Sequence, residues 1–404
     1  MLPPPPLTVA SHQASNFDLL CACCAAHPTA ERIAKIADWK TASIDWPEFL
    51  RQAEHHGVLA LAARNLLGHA TGLPPEIRHT LDSAYAANLR RSLWFAAELI
   101  RISRHLTQKE IRAIPYKGPA LAQSAYGDLA LRTFSDLDIL ISPSDFAPAK
   151  NALAEIAYHP SAPQTPAVER LWLRTGYERS FDGPAGKYLV ELQWALLPSF
   201  YAVDPAHFGF DDLWPRTSRI ALGTSDDSSI PSLSSGDSLL VLSLHAAKHL
   251  WTRLIWIADI AETLPTPNLD LAQVIARARA SGIARILGVS LQLANLLLDV
   301  TIAPPAQALI ASDPEIPKLS QECIARLQHN TTYDFESSAY FRHILRLREK
   351  PGDRRRYLWR LLSTPGQKDV DVISLPEIFF PLYRVVRLSR LVKRLVGRLI
   401  RKQI

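Results

Sequence analysis

Apolar residues recur at three and four spacing from residue 16 to about 109, as in Phe49, Ala53, Val58, Leu61, Ala62 and Leu66, with few strand formers among them. That period is one face of a helix, so the first quarter of the chain is expected to be helical. The pattern changes at Ile111. The run IRAIPYKG alternates briefly and ends on Gly118-Pro119, the punctuation of a strand turning into a helix. A second strand candidate, SDLDILI at 135–141, interleaves apolar side chains with carboxylates, and Ser142 with Pro143 then reads as the N-cap and first position of a helix reaching about Ala157. YERSF (177–181) and KYLVELQW (187–194) flank a turn held by Gly183, Pro184 and Gly186, which predicts a hairpin. From Ser232 the helical period returns. A capping pattern at Ser235, Gly236 and Asp237 opens LLVLSLHAAKHLWTRLIWIADIAETL, read as one helix stopped by Pro265 and Pro267. Further helix covers 269–298, Pro304-Pro305 breaks it, and shorter helices follow to about Lys350.

The expected class is α+β, a small mixed β-sheet core flanked by N- and C-terminal helical regions. The chain divides into a disordered lead-in at 1–15, a helical region at 16–110, the core at 111–231, a helical region at 232–345 and a basic tail at 346–404 holding an amphipathic helix. Composition agrees with a globular chain: 48% hydrophobic and 21% charged residues. The most apolar stretch, 283–302, is interrupted by Gln292, Asn295 and Asp299, so a buried helix fits it better than a membrane span. The opening residues lack the basic start and apolar core of a secretory signal, and a cytoplasmic protein is expected. Cys21, Cys23 and Cys24 crowd one segment far from Cys323, matching neither a disulfide framework nor zinc spacing; they read as small buried residues.

Net charge is +6 with pI near 9.1, but the excess gathers from Arg342 onward and nucleic acid is not favoured as a partner. From Pro381 the spacing of Leu382, Val385, Val386, Leu388, Leu391, Val392, Leu395 and Leu399 makes one helical face apolar and the other cationic. Such a helix suits an anionic membrane surface, RNA or an acidic partner, with peripheral membrane contact preferred, or it docks on its own protein by the apolar face.

The chemistry centres on Asp136 and Asp138. Residues i and i+2 of a strand share a face, so the two carboxylates can share a cation, and hard oxygen ligands suit Mg²⁺ bound together with substrate phosphates. Glu191 is a third carboxylate; beside the Asp136 strand it would complete a triad able to hold two metal ions for in-line phosphoryl transfer. Lys117 and Gly118 at the strand-to-helix turn can approach phosphate, and Arg132 can clamp charge on a leaving pyrophosphate. His245 and His249 lie one helical turn apart in packed surroundings and read as structural; an intermediate reading lets them, with Lys248, Arg253 or Asp259, line an acceptor pocket.

The stretch YKGPALAQSAYGDLALRTFSDLDILISPSDFAPAKNALAEIAYHP, continued by VELQW, resembles the uncharacterised nucleotidyltransferase family of the DNA polymerase β-like superfamily. The resemblance extends over roughly residues 18–264. It implies Mg²⁺-dependent transfer of a nucleotidyl group from a nucleoside triphosphate, with Asp136 and Asp138 as metal ligands and Glu191 as the third. Lys117 and Gly118 match the position where the superfamily carries Gly-Ser, Pro119 replacing the serine; Gln193 stands where related sequences often have His. The alternatives are a metal-dependent glycosyltransferase, which also uses an Asp-x-Asp, and a non-catalytic binding protein that kept the fold.

Overall fold

The computed structural model describes residues 10–39, 44–162, 164–186, 189–203, 205–225, 228–330, 337–373 and 375–401. A five-stranded sheet of order β1-β2-β5-β4-β3 lies between helical flanks, which is the α+β arrangement expected. Its strands are β1 (Ala113–Pro115), β2 (Asp136–Ile141), β3 (His159–Pro160), β4 (Glu178–Asp182) and β5 (Leu189–Gln193). β2 and β5 run parallel and the other pairs antiparallel. A parallel pair needs a crossover, supplied by the helices Phe146–Glu155 and Pro166–Thr175 with β3 and β4 between β2 and β5.

Alternation along the strands decides where the chemistry goes. Leu137, Ile139 and Ile141 of β2 join Val190 and Leu192 of β5 in a buried cluster. That cluster packs on Phe95, Leu99 and Ile102 of the long helix Pro75–Gln108 and on Phe146 and Leu153 of Phe146–Glu155. The alternate positions, Asp136, Asp138, Glu191 and Gln193, are thereby left to the opposite face. A short hairpin, β6 (Ser218–Ala221) with β7 (Ser229–Ser232), follows the sheet.

The structure corrects the reading of one continuous helix after Ser232. Ser234 caps a helix Ser235–Lys248 by accepting from Asp237 N at 3.2 Å, but the helix ends there and another runs Leu254–Thr263. Between them Leu250 and Trp251 adopt φ of 53° and 50°, a conformation costly for side-chain-bearing residues. Tertiary packing holds it: Trp251 is fully buried and its Nε1 donates to Ser290 Oγ at 3.1 Å. Smaller differences follow the same logic. Pro143–Asp145 forms a 3₁₀ turn before the helix at Phe146, and Ser142 Oγ pairs with Ser144 Oγ instead of capping. The 269–298 region is two helices, Leu271–Ala280 and Ala284–Leu298, separated at Gly282. The first helix starts at Ala10, inside the stretch read as lead-in; residues 1–9, and Lys187 at the start of the expected second hairpin strand, lie outside the described residues.

All four cysteines are buried and form no disulfide. Burial pushes the Cys24 and Cys323 thiols up to about 12, which keeps them unreactive. Among the described residues no helix is long and apolar enough to cross a membrane.

Burial also holds His56 and His343 neutral, lowering each to about 3. A base whose folded pKa is depressed contributes stability that is present above its unfolded pKa near 6.5 and lost as pH falls toward 3. The melting temperature should therefore drop steadily between pH 6.5 and 4, and His343→Gln should flatten that limb. Equal slopes in the two proteins would exclude His343 as a source.

Candidate active site

β2 and β5 bring three acids together. Asp138 is paired in register with Glu191 across the parallel ladder, and Asp136 lies two residues earlier on the same face. A fourth carboxylate, Glu178 at the start of β4, sits opposite Gln193. Gln193 is the hub of this patch. Its Nε2 donates to Asp138 Oδ1 at 3.0 Å and contacts Glu178 Oε2 at 3.2 Å and Glu191 Oε2 at 3.3 Å, while its Oε1 accepts from Tyr116 OH. Lys117, two residues beyond β1, donates from Nζ to Asp138 Oδ1 at 2.8 Å with 9% of its side chain exposed.

Crowding buried carboxylates raises the cost of ionising each. Glu191 is pushed up to about 8, by burial first and then by Glu178, Asp138 and Asp136; Asp136 is raised by burial and by Asp138. Burial opposes the charge on Lys117, but Asp138, Asp136 and Glu191 together outweigh it and hold the lysine above its usual range. Lys248, by contrast, is lowered by burial; its Nζ donates to Tyr177 OH at 2.9 Å.

A cavity of about 310 Å³ opens beside the aspartates. Asp136, Asp138, Lys117, Arg91, Arg253, His245, His249 and Trp256 are among the residues that line it. Trp256 stacks on His249 with ring centroids 4.8 Å apart, and burial holds both histidines well below the usual imidazole range. Gly118, next to Lys117, has φ of +54°, and a Cβ there would meet the Asp136 carbonyl oxygen at 3.3 Å. Arg132 reaches the cavity wall, but its Nε and Nη2 donate to Asp259 Oδ1 and Oδ2 at 2.8 and 2.9 Å, and Tyr126 OH donates to Asp259 Oδ1 at 2.7 Å. A larger cavity of about 680 Å³ near Gln292 and Asp299 gathers no comparable charge.

A model of the family described as uncharacterised nucleotidyltransferase matches residues 42–299, more than half the chain. The chain belongs to that family. No curated protein and no solved structure matches it.

In this nucleotidyltransferase the sequence-derived site residues fall into two groups. Asp136, Asp138, Glu191 and Lys117 converge on one patch of the sheet with Gly118 against Asp136, and of these Asp136, Asp138 and Lys117 line the adjoining cavity. Arg132 is near them, but the bonded side of its guanidinium is committed to Asp259. Among the described residues no three His, Cys, Asp or Glu side chains form a ready metal centre: Lys117 takes one Asp138 oxygen, and Gln193 bridges Asp138 to Glu191. Before Asp136 the described residues contribute only the short strand β1 to the sheet. Sequence reasoning missed Glu178, although extending the expected hairpin to the register Glu178–Gln193 would have found it. The cavity role of Trp256 depends on the helix break and had no local signal.

Gly118→Ala should cost about 1–2 kcal/mol of folding stability, because an L residue at this φ is strained and its Cβ crowds the Asp136 carbonyl. Urea denaturation measures it. A change within error would mean that the turn relaxes freely.

Proposed function

We propose that this nucleotidyltransferase transfers a nucleotidyl group from a nucleoside triphosphate to an acceptor, using Mg²⁺ held by Asp136 and Asp138. The observation that carries this reading is the acid patch itself: Asp136 and Asp138 on one strand face, in register with Glu191, opening on a cavity lined by Lys117, Arg91 and Arg253. The donor set fits the ion. It offers hard carboxylate oxygens whose mutual repulsion a divalent cation would relieve, and Mg²⁺ is commonly held by one or two carboxylates plus substrate phosphates instead of an all-protein cage. Glu191 is the proposed third ligand, completing a set for a second ion.

When bound, Mg²⁺ would supply Lewis-acid charge at the phosphates. The chain's own groups do the rest. Lys117 and the guanidinium groups of Arg91 and Arg253 attract and orient the triphosphate. Arg132, fixed by Asp259, adds a stationary positive charge to the wall. Gly118 lets the backbone pass close beneath the substrate. Neutral His245 and His249 with Trp256 give the cavity an aromatic surface for the acceptor or the nucleotide base. A second reading, a fold retained for binding alone, draws on Pro119 in place of serine and on the direct Lys117–Asp138 pair.

Pyrophosphate release from ATP, CTP, GTP and UTP, with Mg²⁺ and cell extract as acceptor source, separates the two. Release with at least one triphosphate, abolished by chelation, supports transfer; binding of a triphosphate with no release under any condition supports the second reading.

A further inference from the structure

The charge of this chain is sharply divided. From Arg346 onward it carries sixteen Lys or Arg against five Asp or Glu, a net +11, so the preceding residues hold −5 of the overall +6. This basic region ends in the helix Tyr383–Arg401. A surface helix ordinarily turns its apolar face inward. Here polar anchors turn it the other way. Tyr383 is fully buried, its OH donating to the Ile373 carbonyl and accepting from Leu375 N, both at 3.0 Å. Arg387 and Arg390 reach inward to Asp369 at 3.2 and 2.7 Å, a carboxylate with no exposed surface, and Arg387 Nε also donates to the Leu361 carbonyl. Residues three and four apart share a helix face, so 383, 387 and 390 fix the buried side.

The opposite side is apolar and faces solvent. Val385, Leu388 and Val392 are 61%, 43% and 57% exposed, and the preceding turn continues the row with Ile378, Phe379 and Leu382 at 80%, 50% and 49%. Exposed Arg384 and Lys393 flank it. The neighbouring helix Pro351–Ser363, packed against this one, leaves Trp359 69% exposed. Among the described side chains Val386 and Leu391 are half-buried, whereas Val385, Leu388 and Val392 are not covered by the rest of the chain.

We propose that this row is a docking surface for an anionic lipid bilayer, with the helix lying in the plane of the interface. Val385, Leu388 and Val392 would sit at the acyl boundary while Arg384 and Lys393 meet the lipid phosphates. The combination of an apolar row with flanking cations selects this occupant. Nucleic acid would engage the cations and leave the row in water. A second copy would bring two strongly cationic tails together.

The test is co-sedimentation of the full chain with vesicles of phosphatidylcholine alone and of phosphatidylcholine with about 30% phosphatidylglycerol, an anionic lipid. Binding should require the anionic lipid and weaken with added salt. Val385→Asp with Leu388→Asp should reduce it by more than about ten-fold, since each side chain's burial is lost, while an unchanged melting curve shows that the fold persists. Arg384→Gln with Lys393→Gln should remove the preference for anionic vesicles. Failure of the parent chain to bind either vesicle would overturn the proposal, as would equal binding by the aspartate variant. So would a dimer in analytical ultracentrifugation that the aspartate variant dissociates, or RNA binding in place of vesicle binding.

Discussion

Asp136→Asn lowers nucleotidyl transfer by about a thousand-fold or more, some 4 kcal/mol of transition-state stabilisation, and leaves the metal-free protein as stable as the parent or slightly more stable. The two effects have one origin. Asp136 is raised above the usual carboxylate range by burial and by Asp138, so replacing it with a neutral amide relieves repulsion while deleting a metal ligand. Asp138→Asn loses turnover to the same extent but behaves differently in stability. Its carboxylate is the partner of the buried Lys117, and removing it strands that ammonium among weaker contacts, so the variant melts lower. Parallel activity and denaturation measurements distinguish the pair. Retained turnover in both variants would remove Asp136 and Asp138 from the chemistry.

The second large effect is on the fold. Arg132 and Asp259 form a bidentate pair with 7% and 1% of their side chains exposed, joining the loop before β2 to the helix Leu254–Thr263. Truncating one partner leaves an uncompensated buried charge, and Asp259→Ala should cost about 3–5 kcal/mol, with Tyr126 OH losing its acceptor as well. Arg132→Met combined with Asp259→Leu should recover most of that loss, because a buried ion pair exchanged for apolar residues of similar size is often neutral. Recovery of stability without recovery of turnover would locate the value of Arg132 in its charge beside the cavity.

Much of this organisation could be read from the residues alone because it depends on short-range pattern. Alternation in SDLDILI and VELQ gave both strands of the parallel pair and put Asp136, Asp138 and Glu191 on the polar face. What escaped depends on partners far along the chain. Asp259 claims Arg132 across 127 residues, and Ser290 steadies the Trp251 turn that splits an otherwise uniform helical period. The tail helix is a sharper case. Its amphipathic spacing is plain in the sequence, yet which face turns inward was set by one buried carboxylate, Asp369, whose pull on Arg387 and Arg390 outweighs the apolar row. Glu178 lay in an expected strand but drew no notice, since a single carboxylate acquires meaning only when the register puts it opposite Gln193.

Isothermal titration of the full chain with ATP, CTP, GTP and UTP, each with and without Mg²⁺, addresses the acid patch directly. At least one triphosphate should bind only when Mg²⁺ is present, and Asp136→Asn with Asp138→Asn should abolish that heat while the melting curve stays cooperative. Undiminished Mg²⁺-dependent binding in the double variant, or silence from all four nucleotides with the parent chain, would contradict a metal-assisted triphosphate site at these aspartates.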